Sequence, residues 1–288
     1  MKKAMGETIT IIGPGLLGAS LAKTVKLKGL FGKVKTWSRR QETREKCVGQ
    51  DWCDEVLETA EEAVSGADFV VLCPPVQVIP ALLEQLAGHF EKGAIVTDVG
   101  STKANICEAA QKVLPEGVEF LGSHPMAGSE KTGLEHATAN LFEGMVCILT
   151  PTVSNSQETI TKVDQFWQAI GMRTGQTSPD EHDRIVAAVS HLPHVLASVL
   201  SENLLHKPGN WENYAGKGLR DTTRIAAGDP ILWRQIVADN VGPIEEMLES
   251  FQASLSNFQE ALKERDFEKI EQILADGKVH RDSLPPID

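Results

Sequence analysis

Residues 8–20 read TITIIGPGLLGAS, and this stretch decides the fold. An apolar run leads into glycines with the spacing G-x-G-x-x-G, and a helical pattern follows them. Such glycines allow a tight turn and a close approach of the backbone to a pyrophosphate at a helix N-terminus. Because a predicted strand precedes the motif and a predicted helix follows it, the stretch indicates a dinucleotide site. The candidate residues of this site are Gly13, Gly15, Leu16, Leu17 and Gly18.

Outward from this motif, short apolar runs alternate with helical patterns through the first half of the chain. This alternation is typical of a parallel sheet that helices cover on both faces. We therefore predict an α/β fold with an N-terminal Rossmann domain over residues 1–178. The candidate strands are residues 8–13, 34–37, 68–73, 94–99, 119–122 and 145–150.

The pattern changes at Ser178. The residues SPDE at 178–181 combine an N-cap serine, a proline at the first helical position and a glutamate at the third. Beyond them we expect only helices, so residues 179–288 are predicted to form an all-helical domain. Apolar side chains recur at three- and four-residue steps from Ile244 to Leu262. They fit either packing within the domain or a helix seam between subunits.

Composition excludes several classes of partner. The net charge is −12, which disfavours nucleic acid and anionic membranes as partners. The five cysteines are odd in number and contain no C-x-x-C pair, as is typical of a reducing compartment. Every apolar run is interrupted by proline, glycine or charge before it could span a bilayer. We therefore expect a cytoplasmic protein without a membrane partner.

The end of the second predicted strand bears on the coenzyme. Many NAD enzymes present an acidic residue to the ribose diol at this point, but here the residues are Ser38, Arg39 and Arg40. A hydroxyl and two guanidinium groups suit a 2′-phosphate. This favours NADP over NAD, and the alternative is a solvated basic turn.

Two predicted strand ends supply catalytic candidates. Ser101 follows one strand in the segment DVGSTK, and His124 follows the next in the segment EFLGSH. Both are expected at the carboxyl edge of the sheet, where open α/β folds bind their ligands. The alternative for Ser101 is a role as the cap of the following helix.

The helical half adds further candidates. His191 and His194 lie three residues apart on one predicted helix, but no third ligand at suitable spacing completes a metal site, so no metal is predicted. Arg220, Asp221 and Arg224 indicate an anion-binding segment, with a surface salt-bridge cluster as the alternative.

Five motifs in order make the chain similar to the prephenate/arogenate dehydrogenase family of tyrosine biosynthesis. They are GPGLLGAS, DVGSTK, GSHPMAGSEKTG, SHLPH and GLRDTTRIAAGDPILWRQI, and the similarity covers nearly the whole chain. The resemblance implies a Rossmann domain followed by a helical domain that forms a homodimer. It also implies oxidation of a cyclohexadiene ring hydroxyl, with hydride transfer to NAD(P)+ and loss of the ring carboxylate.

The resemblance also implies roles for individual residues. His124 matches the histidine that takes the hydroxyl proton, and Ser101 matches a serine that orients that hydroxyl. Arg224, His191 and His194 match substrate-binding positions, and Ser129 and Glu130 match residues at the pocket mouth. His194 favours prephenate as substrate; arogenate, or both substrates, is the alternative.

Two other classes remain open from the residues. A hydroxyacid-type dehydrogenase shares the Rossmann-plus-helical plan but generally uses a lysine base on the helical domain, and the segment SHLPHVLASVLSEN contains no lysine. An NADP-binding regulatory protein without catalysis would have no need for the histidine and the arginine that this chain carries.

Overall fold

The computed structural model describes residues 5–127, 131, 133–207, 209 and 211–284. Its first half contains a six-stranded parallel sheet with the order β3-β2-β1-β4-β5-β6. The chain therefore runs outward from β1 in one direction and then crosses back to β4 to continue in the other. These strands are β1 Gly6–Ile12, β2 Phe31–Trp37, β3 Glu55–Val56, β4 Phe69–Leu72, β5 Ile95–Asp98 and β6 Glu119–Phe120.

Helices cover both faces of this sheet, which confirms the predicted fold class. One face packs against the first and last helices of this half, and the other face packs against the third, fourth and fifth. The strands β4 and β5 are buried along their whole length, as expected for a parallel sheet between two helical layers. The helices are α1 Leu16–Lys28, α2 Gln41–Cys47, α3 Ala60–Val64, α4 Ile79–Leu86, α5 Ala104–Val113 and α6 Gln157–Ile170.

A second, three-stranded sheet departs from the prediction. It has the order β7-β8-β9, with β7 Gly122–Pro125 antiparallel to β8 Val146–Thr150 and β8 parallel to β9 Arg173–Gln176. The chain leaves the large sheet after Phe120 and joins the small one at Gly122. His124 therefore lies within a strand, not on a loop beyond the edge of the large sheet. Apolar patterning could not predict this because the residues continue as one uninterrupted extended segment.

The described residues beyond Gln176 contain only helical elements, as predicted. These are α7 Pro179–Val186, α8 Leu192–Leu205, α9 Lys217–Thr223, α10 Pro230–Asp239, α11 Val241–Glu264 and α12 Phe267–Ser283. A π-helical turn, Ala187–His191, joins α7 to α8, so the two histidines that were placed on one predicted helix lie in different elements. Pro193 lies in the first turn of α8, where its missing N–H costs little.

The run Pro179–Leu205 is long and apolar enough to cross a membrane by length and composition. The expectation that every apolar run is interrupted before it could span a bilayer was therefore wrong for this segment. The same run carries the buried side chains His182, Asp183, His191 and His194. Its polar side chains contact the Rossmann half and α10, so the run packs against the rest of the folded protein.

Candidate active site

The glycine turn lies where the strand order reverses. Strand β1 pairs with β2 on one side and β4 on the other, and open α/β folds bind ligands at the carboxyl ends of strands at such a point. Gly13 has a φ of +84°, a conformation that other residues rarely adopt. A Cβ on Gly18 would approach the Gly13 carbonyl oxygen to 2.6 Å. Both positions therefore require glycine for the turn itself.

Gly15 is different, because a Cβ there would meet no protein atom within 4 Å. Gly15 is also the N-cap of α1 and provides no side-chain hydrogen bond to the helix. The first-turn amides of Leu16 and Leu17 therefore begin the helix beside open space. This arrangement fits a pyrophosphate, which needs backbone amides and room for its oxygens.

Ser38, Arg39 and Arg40 follow β2, directly beside the glycine turn. Ser38 is half-buried, while Arg39 and Arg40 are exposed. Arg44 supports the turn from α2, since its Nη1 donates to the Ser38 carbonyl oxygen at 2.9 Å and its Nη2 pairs with Glu58 at 3.2 Å. Arg44 is thus engaged with protein groups, and the side chains of Arg39 and Arg40 extend from a braced loop.

His124 is buried in β7 and joins a chain of three side chains. Its Nδ1 lies 2.9 Å from Nε2 of His182, and Nδ1 of His182 lies 2.8 Å from the Asp183 carboxylate. His182 and Asp183 come from α7 in the helical half. Neither residue was predicted to belong to the site, although both directly follow the SPDE helix start.

His124 and His182 both favour the neutral form. Burial lowers the pKa of His124 well below its ordinary 6.5, and the nearby His182, Lys103 and His191 lower it further. Burial also lowers the pKa of His182, although the adjacent Asp183 opposes that shift. A neutral imidazole at position 124 has one nitrogen able to accept a proton at neutral pH.

Ser101 lies on the loop between β5 and α5 and is partly exposed. The alternative role as cap of α5 does not hold, because this helix begins at Ala104 and its N-cap position is Lys103. The Asp183 carboxylate caps the helix instead, accepting from the backbone N–H of Lys103 at 2.8 Å and of Ala104 at 2.9 Å. Ser101 is thus left on the loop at the carboxyl end of β5.

A buried ion pair shapes the same loop. The Lys103 ammonium pairs with the Asp98 carboxylate, and both side chains are completely buried. Asp98 also accepts from the backbone N–H of Gly100 at 2.8 Å and of Ser123 at 3.0 Å. The carboxylate therefore joins the loop that carries Ser101 to the strand that carries His124.

His191 and His194 lie on opposite sides of the junction between the π-turn and α8, and both contact Trp233. The His194 ring stacks on Trp233 with centroids 3.5 Å apart, while the His191 ring meets it edge-on at 6.0 Å. Nδ1 of His191 lies 3.1 Å from the amide nitrogen of Asn240. Because that amide donates, the proton of neutral His191 is on Nε2, a buried nitrogen with no partner among the described residues.

Arg224 begins a short turn, Arg224–Ala227, that packs on α8. Arg220, Asp221 and Arg224 are exposed. The ion pairs of the described residues include none of the three, so the alternative of a salt-bridge cluster finds no support there.

Ser129 and Glu130 lie outside the described residues. Within the described ranges, no three His, Cys, Asp or Glu side chains are grouped as metal ligands.

Fold and site together define a class of protein, a dinucleotide-dependent oxidoreductase with a Rossmann half and a helical half. Two family descriptions match the chain in order: "Prephenate dehydrogenase, nucleotide-binding domain" over residues 21–175 and "Prephenate dehydrogenase, dimerization domain" over residues 178–276. The chain belongs to the prephenate dehydrogenase family, as the sequence motifs predicted.

Individual relatives agree with this assignment. The prephenate dehydrogenase of Bacillus subtilis is 30% identical over 298 residues, which cover 98% of this chain and 77% of the relative. The cyclohexadienyl dehydrogenase of Zymomonas mobilis is 31% identical over 266 residues, 90% of this chain and 89% of the relative. The crystal structure of the prephenate dehydrogenase from Aquifex aeolicus, in complex with hydroxyphenyl propionate and NAD+, superposes with a TM-score of 0.91 at 32% identity. It covers 99% of this chain and 100% of that one.

Proposed function

We propose that the protein catalyses the oxidative decarboxylation of prephenate to 4-hydroxyphenylpyruvate. The observation that carries the proposal is His124, buried in β7 and 2.9 Å from His182, in a chain whose fold and family are those of prephenate dehydrogenases. His124 accepts the proton of the ring hydroxyl, and the hydrogen on the same carbon leaves as hydride. The ring carboxylate leaves as carbon dioxide while the ring becomes aromatic. The coenzyme, when bound, supplies the hydride acceptor.

The side chains at the site suit each part of this reaction. Because burial keeps His124 neutral, its free ring nitrogen is available to accept the hydroxyl proton, and removal of that proton directs electron density toward the departing hydride. Ser101 is assigned to orienting the hydroxyl. Because aromatisation drives the loss of carbon dioxide, the step needs no group to stabilise a localised carbanion.

We assign the recognition of the substrate to the helical half. Arg224 binds a substrate carboxylate, a task for which the planar guanidinium is suited. The Nε2–H of His191, which has no partner among the described residues, and the ring of His194 provide donors near Trp233. Ser129 and Glu130 are assigned to the pocket mouth.

His194 favours prephenate over arogenate. The two substrates differ in a keto group against an ammonium group, and a ring N–H donor suits the keto oxygen. Burial lowers the pKa of His194, so the neutral ring discriminates by donation and not by charge repulsion. Activity with arogenate, or with both substrates, is the second candidate, since one relative is named a cyclohexadienyl dehydrogenase.

NADP is proposed as the preferred coenzyme, with NAD as the alternative. Arg39 and Arg40 are exposed beside the glycine turn and fit a 2′-phosphate. The Aquifex aeolicus relative was crystallised with NAD+, so the proposal concerns the turn of this chain and not the family.

A cytoplasmic homodimer is proposed for the whole protein, with a boundary between its two domains at residue 178. The dimerization-domain match supports the assembly, and the five free cysteines suit a reducing compartment.

A steady-state assay tests the proposed function. The purified protein is incubated with prephenate or arogenate and with NAD+ or NADP+, in all four combinations, and formation of the reduced coenzyme is followed by absorbance. We expect the highest kcat/KM with prephenate and NADP+, with 4-hydroxyphenylpyruvate as product. Reactions without substrate are the control. Failure of all four combinations to reduce the coenzyme would disprove the function.

A further inference from the structure

We propose that His182 and Asp183 are positioning residues that fix the tautomer of His124, so that Nε2 of His124 is the atom that accepts the proton. The inference rests on the proposed function, because it concerns how the proposed base is prepared. It assigns a role in the reaction to two residues of the helical half.

Asp183 determines which atoms donate and which accept in this row of hydrogen bonds. An ionised carboxylate has only acceptors, and that of Asp183 accepts from the backbone N–H groups of Lys103 and Ala104. The same carboxylate lies 2.8 Å from Nδ1 of His182. Nδ1 of His182 must therefore carry a hydrogen and donate it.

The hydrogen on His182 in turn determines which nitrogen of His124 donates. A neutral imidazole has one N–H, so a hydrogen on Nδ1 of His182 leaves its Nε2 as an acceptor. Among the described residues, the hydrogen-bonding atom opposite that acceptor is Nδ1 of His124, at 2.9 Å. His124 thus donates from Nδ1, and its own lone pair is on Nε2. The opposite tautomer would place two acceptors, or two hydrogens, against each other at one of the two contacts.

The surroundings hold the three side chains in this arrangement. His182 is completely buried, and Asp183 is nearly so. Asn240, which lies between α10 and α11, donates its amide to the Asp183 carbonyl oxygen at 2.8 Å. Since Asp183 caps α5 of the Rossmann half, one carboxylate both joins the two halves and orients the histidine chain. Docking of the helical half therefore prepares the base.

Two substitutions separate this role from simple packing. In His182→Gln, the side-chain oxygen can accept from Nδ1 of His124, whereas His182→Leu fills the space without an acceptor. We expect His182→Leu to lower kcat by roughly 10²-fold or more, the scale of a lost general base. His182→Gln should stay within about tenfold of the wild type. Coenzyme Kd should be unchanged in both, and His89→Leu, an exposed histidine of the Rossmann half, is the matched control.

A spectroscopic measurement on the wild-type protein reads the tautomer without turnover. In protein labelled with 15N-histidine, long-range 1H–15N correlation distinguishes Nδ1–H from Nε2–H, and the His124→Ala variant assigns the resonance. We expect His124 to carry its hydrogen on Nδ1.

The possible outcomes separate the two proposals. An Nε2–H tautomer of His124, or equal losses of kcat in the glutamine and leucine variants, would overturn the positioning role. Full activity of His124→Ala would instead refute the proposed base, whatever its tautomer. If the leucine variant does not fold, the tautomer measurement still decides.

Discussion

The residues after β2 carry the proposed preference for NADP. Replacing both Arg39 and Arg40 with alanine should weaken NADP+ binding by roughly 10²-fold or more, because two charge-assisted hydrogen bonds of about 1.5–3 kcal/mol each are lost. NAD+ binding should be nearly unchanged, since its ribose carries no 2′-phosphate. Isothermal titration with each coenzyme measures both values.

Lys46→Ala is the matched control for this change. It removes a positive charge from an exposed side chain of α2 that pairs with Glu42. An equal loss of affinity for both coenzymes in the double variant would show that the arginines only support the fold.

His194 is the residue at which substrate preference should change. In His194→Val, the ring donor is lost, so the ratio of kcat/KM for prephenate to that for arogenate should fall by roughly tenfold, about one hydrogen bond. The comparison is made at fixed pH with saturating coenzyme. His206→Val, an exposed histidine just beyond α8, is the control. An unchanged ratio would remove His194 from the specificity pocket.

At the scale of secondary-structure elements, α5 and α10 are joined by one carboxylate. Asp239 at the end of α10 accepts from the Thr102 hydroxyl and, at 2.6 Å, from the Asn105 amide. Asp239→Ala leaves these two donors without their acceptor and should lower the free energy of unfolding by about 1–3 kcal/mol.

Thermal unfolding followed by circular dichroism measures this effect, with an expected fall of a few degrees in Tm. Asp282→Ala is the control, because it removes an exposed carboxylate paired with Lys278 on α12. Equal Tm values for Asp239→Ala and the wild type would mean that the junction between α5 and α10 contributes nothing to stability.

The elements also show how far sequence reasoning extends. Strong local signals, namely the glycine turn at 13–18, the buried apolar strands and the SPDE helix start, predicted the sheet and most helices. The sheet change between Phe120 and Gly122 and the π-turn at Ala187–His191 leave the local pattern unaltered, so they could not be predicted.

The site divides in the same way. His124 was predicted because it follows a predicted strand and lies in a motif that the chain shares with the family. His182 and Asp183 were missed because a histidine and an aspartate in the first turns of a helix look like ordinary surface residues. Only the fold brings His182 to His124, 58 residues away in the chain.

At the scale of the whole molecule, the helical half exposes many large apolar side chains. Among them are Val199, Leu205, Tyr214, Leu255, Leu262 and Phe267. Such exposure is typical of a face that another subunit covers. We expect a dimer of about twice the 31.3 kDa chain mass in light scattering after size exclusion.

Charges placed on this face should dissociate the dimer. The double variant Leu255→Glu, Leu262→Glu should elute as a monomer, because burying two carboxylates at an apolar interface is costly. Val153→Glu, at a fully exposed position of the Rossmann half, should remain dimeric. A dimeric double variant would place the interface elsewhere.

Both halves of the molecule contribute residues around His124, the proposed base. The most direct test is the kcat of His124→Ala with prephenate and saturating coenzyme, together with the coenzyme Kd of the same variant. We predict that kcat falls by roughly 10²-fold or more while the Kd remains near the wild-type value, because the histidine acts on the substrate proton and not on the coenzyme. A variant that keeps most of its kcat would contradict the account.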